Sequence, residues 1–345
     1  MNNEFKRENI PALDGIRGLA ILLVIVSHTN ALNLSGQGSI GVWIFFVLSG
    51  FLLAQPFVAK IELINLKYFS NFYIRRLKRI VPMYYIIVAT FVIFLPSFIG
   101  NEKSIFKHLI FTQANGHLWS TQQEMLFYLI CPIIFYINYM LIKNLKFSNL
   151  IISIFILIES LLLNTFLTTD IFYLNGNGKQ AVFYISVFLI GIAISYFSES
   201  NLLRNIKDNK YIKCSLNYVS VLILLVFIFS AKYYKELIGI FPTVDYLGWT
   251  YPVFFAILAG ILILTVTINQ GGIISRIFNV VVLRSCGKVS YSMYLIHYFL
   301  LQFIGRYITG NILFLVLLPI TYVISIFTYN YIEQKFLRLE LRYKN

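Results

Sequence analysis

Of the 345 residues, 59% are hydrophobic and only 12% are charged, with a mean hydropathy of +0.77. Soluble domains carry about 25% charged residues, so this composition excludes a water-soluble globule. The formal net charge of +14 comes from Lys and Arg at the ends of apolar runs, where they meet anionic headgroups, and no nucleic-acid motif accompanies it. Membrane lipids are the expected partners, and nucleic acid is not.

Runs long enough to cross a bilayer, about 17–25 residues, recur along the whole chain. They predict ten spans at 12–32, 40–58, 80–99, 119–142, 147–167, 181–198, 214–230, 251–269, 289–309 and 311–331. Backbone polar groups in hydrocarbon need internal partners, and the period-two alternation of a barrel is absent. The expected fold is all-α, a polytopic integral membrane helix bundle of about ten transmembrane helices, forming a single domain over 1–345. The first run is too long for a signal-peptide core and lacks a small-residue cleavage site, so it reads as a retained span. With the N-terminus inside, 21 of the 28 Lys and Arg fall on the cytoplasmic side and six on the other, with Arg17 inside the first span. That bias places both termini in the cytoplasm. Cys131, Cys214 and Cys286 show no ligand spacing, so neither a disulfide framework nor a metal is expected.

Ionisable groups within the spans are costly and point to function or to a buried partner. Arg17 and His28 lie eleven residues apart on the first span, which brings them to within about 20° of one face but separates them by roughly 16 Å along the axis. Asp14 is the natural ion-pair partner of Arg17. In the second span Ser49 and Gly50 stand near mid-membrane, where small residues favour close helix packing and can leave room for a slender ligand. The segment NFYIRRLKRIVP carries Arg75, Arg76 and Arg79, which either hold a polyphosphate head or only set topology. His108 falls in an outer loop and is expected to be solvated.

The fourth span opens HLWSTQQEMLFY, which aligns His117, Ser120 and Glu124 on one face, with Tyr128 one turn deeper. Glu124 is expected at the depth of His28, so that the two form either an acid/base pair, in which the carboxylate orients the imidazole, or a structural polar contact. His297 is open between a second site residue and a bundle histidine, and the bundle reading is the simpler. Glu333 is expected as an interfacial anchor or a partner for a nearby Arg.

In order along the chain, LDGIRGLAILLVIVSH, GVWIFFVLSGFLL, FYIRRLKRIVPMYY, HLWSTQQEMLFYLICP, SYSMYLIH and YIEQKF resemble the acyltransferase-3 family of membrane acyltransferases, over residues 11–337. The resemblance implies acyl transfer from cytoplasmic acyl-CoA, most often acetyl-CoA, to a sugar hydroxyl of a cell-surface polysaccharide or its lipid-linked precursor. His28 is then the catalytic base, Arg17 its partner on the first span, and Glu124 the acidic residue after Trp-Ser. Arg76 and Arg79 fall on the family's Arg-x-x-Arg motif and, with Arg75 and Ser49, are the expected donor-binding residues. His117, Trp119, Ser120 and Tyr128 are the expected acceptor-site residues.

The resemblance is not uniform. Trp43 stands where relatives commonly have Asp, Met125 where a second Glu is frequent, and Lys335 where Pro is usual. The fused extracellular hydrolase-like domain of some relatives is not expected in this chain. A bacterial plasma-membrane location fits the richness in Ile, Lys, Asn and Phe. The main rival is a transporter or flippase of lipid-linked sugars, which would favour internal repeats and paired broken helices, neither of which the sequence shows.

Overall fold

A computed structural model of the protein describes residues 10–34, 36–59, 66–167, 184–240 and 251–338. Sixteen α-helices follow one another among them: α1 Pro11–Thr29, α2 Gln37–Ala59, α3 Leu66–Phe94, α4 Pro96–Ile99, α5 Glu102–Leu109, α6 Trp119–Leu145, α7 Asn149–Leu167 and α8 Ile185–Ser198, then α9 Asn201–Ile206, α10 Lys210–Ile240, α11 Tyr251–Ile268, α12 Ile273–Phe278, α13 Val281–Lys288, α14 Ser290–Ile304, α15 Gly310–Thr328 and α16 Gln334–Arg338. A π-helical turn, Tyr329–Glu333, joins the last two. No strand occurs among the described residues.

Each of the ten expected spans contains a helix. Six helices are long and apolar enough to cross a membrane, and α7, α8 and α11 add shorter apolar ones. The chain is a multi-pass membrane protein. Outward-facing Ile93, Leu129, Leu222 and Leu315 are all more than 60% exposed, which in this setting is exposure to lipid. The start of the sixth span, 181–183, and Lys6, Arg7, Lys60, Lys179, Arg342 and Lys344 of the charge count lie outside the described residues.

The third span differs from expectation. It begins at Leu66 rather than at residue 80, so Arg75, Arg76 and Arg79 lie within a continuous helix. Arg, Lys and Leu are good helix formers, and the low hydropathy that seemed to end the span marks a polar cavity within the bundle.

The centre of the bundle is α1, with neighbours α2, α11, α12, α13, α14 and α15. Its buried residues run round the whole circumference rather than along one stripe. Backbone contacts hold it there: a Cβ on Gly15 would lie 1.9 Å from the Phe278 carbonyl oxygen, and one on Gly287 would lie 1.7 Å from that of Asp14. The α2–α8 contact is reciprocal, since a Cβ on Gly50 would meet the Phe188 oxygen at 2.1 Å and one on Gly191 the Val47 oxygen at 2.1 Å. Small residues let helix backbones approach without a side chain between them.

Adding one methyl at Gly191 therefore pushes α8 off α2. Gly191→Ala is expected to destabilise the bundle by about 1–3 kcal/mol, read as a lower thermal midpoint in detergent. Gly271→Ala, where nothing lies within 4 Å, should leave the midpoint unchanged. Equal midpoints for the two variants would refute the close-contact account.

Candidate active site

Arg17 and His28 divide the site into two ends, because the α1 rise over eleven residues is about 16 Å. At the Arg17 end the helices surround a partly open cavity bordered by Arg17, Ser49, Arg76, Arg79, Glu124 and Tyr128 among others. Arg17 pairs with Asp14 at 3.0 Å, as the i,i+3 spacing suggested. Glu124 accepts hydrogen bonds from Ser49 Oγ at 3.2 Å and from the Tyr128 hydroxyl, and its carboxyl acts electrostatically on both Arg17 and Arg79.

Arg76 and Arg79 share the inner face of α3. The Arg76 guanidinium lies 5.8 Å from the Phe72 ring centre and 5.7 Å from that of Tyr128. Its Nε is buried and has no hydrogen-bond partner. Glu333 is 5% exposed, accepts from Ser292 Oγ and acts on Arg79 from the far side. It is thus a buried partner of an arginine rather than an anchor in the interface.

The His28 end is built from histidines on three elements. His28 Nδ1 lies 2.8 Å from His297 Nε2 on α14, with the two rings nearly parallel at 6°. His117, in the turn that precedes α6, stacks on Tyr298 with ring centres 4.6 Å apart and donates from Nε2 to the Leu295 carbonyl at 3.2 Å. Tyr294 links the two ends: it borders the cavity, and its hydroxyl donates to the His117 carbonyl at 2.5 Å.

Several expected placements change. Glu124 does not hold His28; it belongs to the Arg17 end. In the turn before α6, His117 and Leu118 are themselves buried. Depth counted from the start of α6 therefore places Glu124 too near the outer surface. Arg75 is exposed and does not border the cavity, because it stands 100° round the helix from Arg76. Trp119 packs against Phe46 and Tyr184 outside the cavity. Ser49, Ser120 and Tyr128 do border it, whereas His117 joins the histidine end.

His297, read from sequence as a bundle histidine, is in contact with His28. Its sequence signals were a polar ring in the middle of SYSMYLIHYF and the likeness of SYSMYLIH to a family segment; the cross-helix contact that matters joins residues 269 positions apart.

A family profile described as an acyltransferase domain matches residues 10–330. A peptidoglycan O-acetyltransferase of Listeria monocytogenes is 30% identical across 85% of this chain and 50% of its own length. An O-acetyltransferase of Staphylococcus aureus is 28% identical across 94% of this chain and 56% of its own. The chain thus spans about half the length of these curated relatives. No solved structure matches.

His108 is also corrected: it is fully buried, not solvated. Its Nδ1–H donates to the Ser104 carbonyl at 2.8 Å and its Nε2 accepts from the Asn115 N–H at 3.2 Å. Asn115 in turn binds the Phe98 carbonyl at 2.6 Å, so a neutral His108 fastens the outer segment that lies over His117. Burial lowers the His108 pKa from its ordinary 6.5, opposed in part by the bond to Ser104. With the folded value depressed, this stabilisation is present above about pH 6.5 and is lost as pH falls through the folded value. Hydrogen exchange of residues 95–116, corrected for intrinsic rate, should accelerate on acidification from pH 7.5 to 5 in the wild type but not in His108→Gln. The same acceleration in both would remove His108 as the cause.

Proposed function

Because the chain belongs to the acyltransferase-domain family, we propose that it is a membrane-bound O-acetyltransferase that moves acetyl from cytoplasmic acetyl-CoA to a hydroxyl of a cell-surface glycan or its lipid-linked precursor. The observation that carries the donor assignment is the unmet donor of Arg76 at the cavity. Of the three arginines that border it, Arg17 is paired with Asp14 and Arg79 is offset by Glu124 and Glu333, whereas the Arg76 Nε is buried without a partner. A guanidinium with an unmet donor inside a bilayer calls for an acceptor, and arginine forks suit phosphate oxygens. The donor's phosphates fit that end. Its extended arm would carry the thioester along α1 toward His28.

In this mechanism His28 takes the proton of the acceptor hydroxyl, and the oxygen attacks the thioester carbonyl. The C–S bond breaks as the ester forms, and the imidazolium returns its proton to the departing thiolate, so that free coenzyme A leaves on the cytoplasmic side. Glu124, with Ser49 and Tyr128, holds the arginines of the donor end in place rather than orienting the base. The glycan acceptor is supported by the likeness to the Listeria relative, a peptidoglycan O-acetyltransferase. Both termini are assigned to the cytoplasm of a bacterial cell on the positive-inside bias.

Membranes carrying matched amounts of each variant, given labelled acetyl-CoA, test the reading. His28→Ala should lower transfer to surface polysaccharide by about 10²–10⁴-fold. Arg76→Ala should instead raise the donor KM by about ten- to hundredfold, the worth of one charge-assisted hydrogen bond. Undiminished transfer by His28→Ala would end the model.

A further inference from the structure

We propose that His297 is a positioning residue that holds His28 in one tautomer, with the proton on Nδ1 and the basic lone pair on Nε2. The inference rests on the reading of His28 as the base and adds which of its atoms does the work.

The assignment follows from hydrogen-bond donors and acceptors alone. His297 Nδ1 lies 3.1 Å from the Met293 carbonyl, one turn back on α14. A carbonyl can only accept, so His297 carries its proton on Nδ1. A neutral imidazole has one N–H, which leaves a lone pair on His297 Nε2. That atom lies 2.8 Å from His28 Nδ1, so His28 Nδ1 is the donor. The remaining lone pair of His28 is on Nε2, and no protein group in the described structure donates to it.

His297 is itself held from a second side. His117 stands edge-on to it, with ring centres 5.6 Å apart at 79°, and is tied to α14 through the Leu295 carbonyl. The chain Met293 carbonyl, His297, His28 thus performs the orienting task that a carboxylate performs in other base pairs, but with neutral groups. It adds no resting charge to the membrane interior. When His28 takes a proton, its bond to His297 becomes charge-assisted and stronger, so the support increases at the moment it is needed.

The chain contains four histidines, so ¹⁵N-histidine NMR of the full protein in lipid can be assigned by single substitutions. In the wild type the His28 signals should report a protonated Nδ1 and an unprotonated Nε2. His297→Phe keeps a ring but removes the acceptor; it should mix the His28 tautomers and lower kcat by about 10²-fold or more. The KM for acetyl-CoA should stay unchanged, because His297 does not border the cavity. His297→Gln, which restores an acceptor, should recover most of the loss. A wild-type His28 protonated on Nε2, or a His297→Phe protein with the tautomer and kcat unaltered, would overturn the proposal. Absence of acetyl transfer in the wild type would instead remove the reading of function, and the tautomer signals would still decide the role of His297.

Discussion

Nothing within a bilayer solvates a guanidinium or a carboxyl except other protein groups. This protein meets that constraint by placing its polar groups against α1 and surrounding α1 with other helices on every side. The enclosure depends on glycines at Gly15, Gly18 and Gly287, which let α12 and α13 close on its Arg17 end, and on Gly41, which lets α2 approach the Ala20 carbonyl. Once α1 is central, Arg17, with Asp14 beside it, and His28 are fixed at the two ends of one line. The remaining polar residues sort between them: arginines, Glu124 and Glu333 at one end, His117 and His297 at the other.

That separation shapes the proposed chemistry. A donor held by its anionic part near Arg76 and Arg79 can present its reactive group at His28 only if it is long and slender and lies along the helix axis. The acceptor meets it at the opposite end, beneath the segment fastened by His108. On that proposal one route would join the two sides of the membrane without requiring the whole donor to cross.

Much of the fold was legible because lipid imposes a simple rule on sequence: each span needs a run of apolar residues, and all ten expected runs contain helices. The pairing of Asp14 with Arg17 was legible for the same kind of reason, being local to one helix. What depended on relations between helices was not. The burial of His117 and Leu118 before α6 shifted Glu124 from His28 to Arg17. The 100° between neighbouring residues on α3 selected Arg76 over Arg75. His108 and His297 each bind partners that hydropathy does not register. The resemblance of SYSMYLIH to a family segment pointed at the right stretch of chain without saying that its histidine would touch His28.

The central claim is that the donor enters at the arginine end and the acceptor is modified at the histidine end, on opposite membrane faces. Sealed, oriented vesicles can test it, with labelled acetyl-CoA supplied only to the cytoplasmic face and polysaccharide sampled on the other. The account predicts label on the far-side glycan, and none when acetyl-CoA is supplied only to that far side. Transfer confined to the face where the donor was added would contradict it.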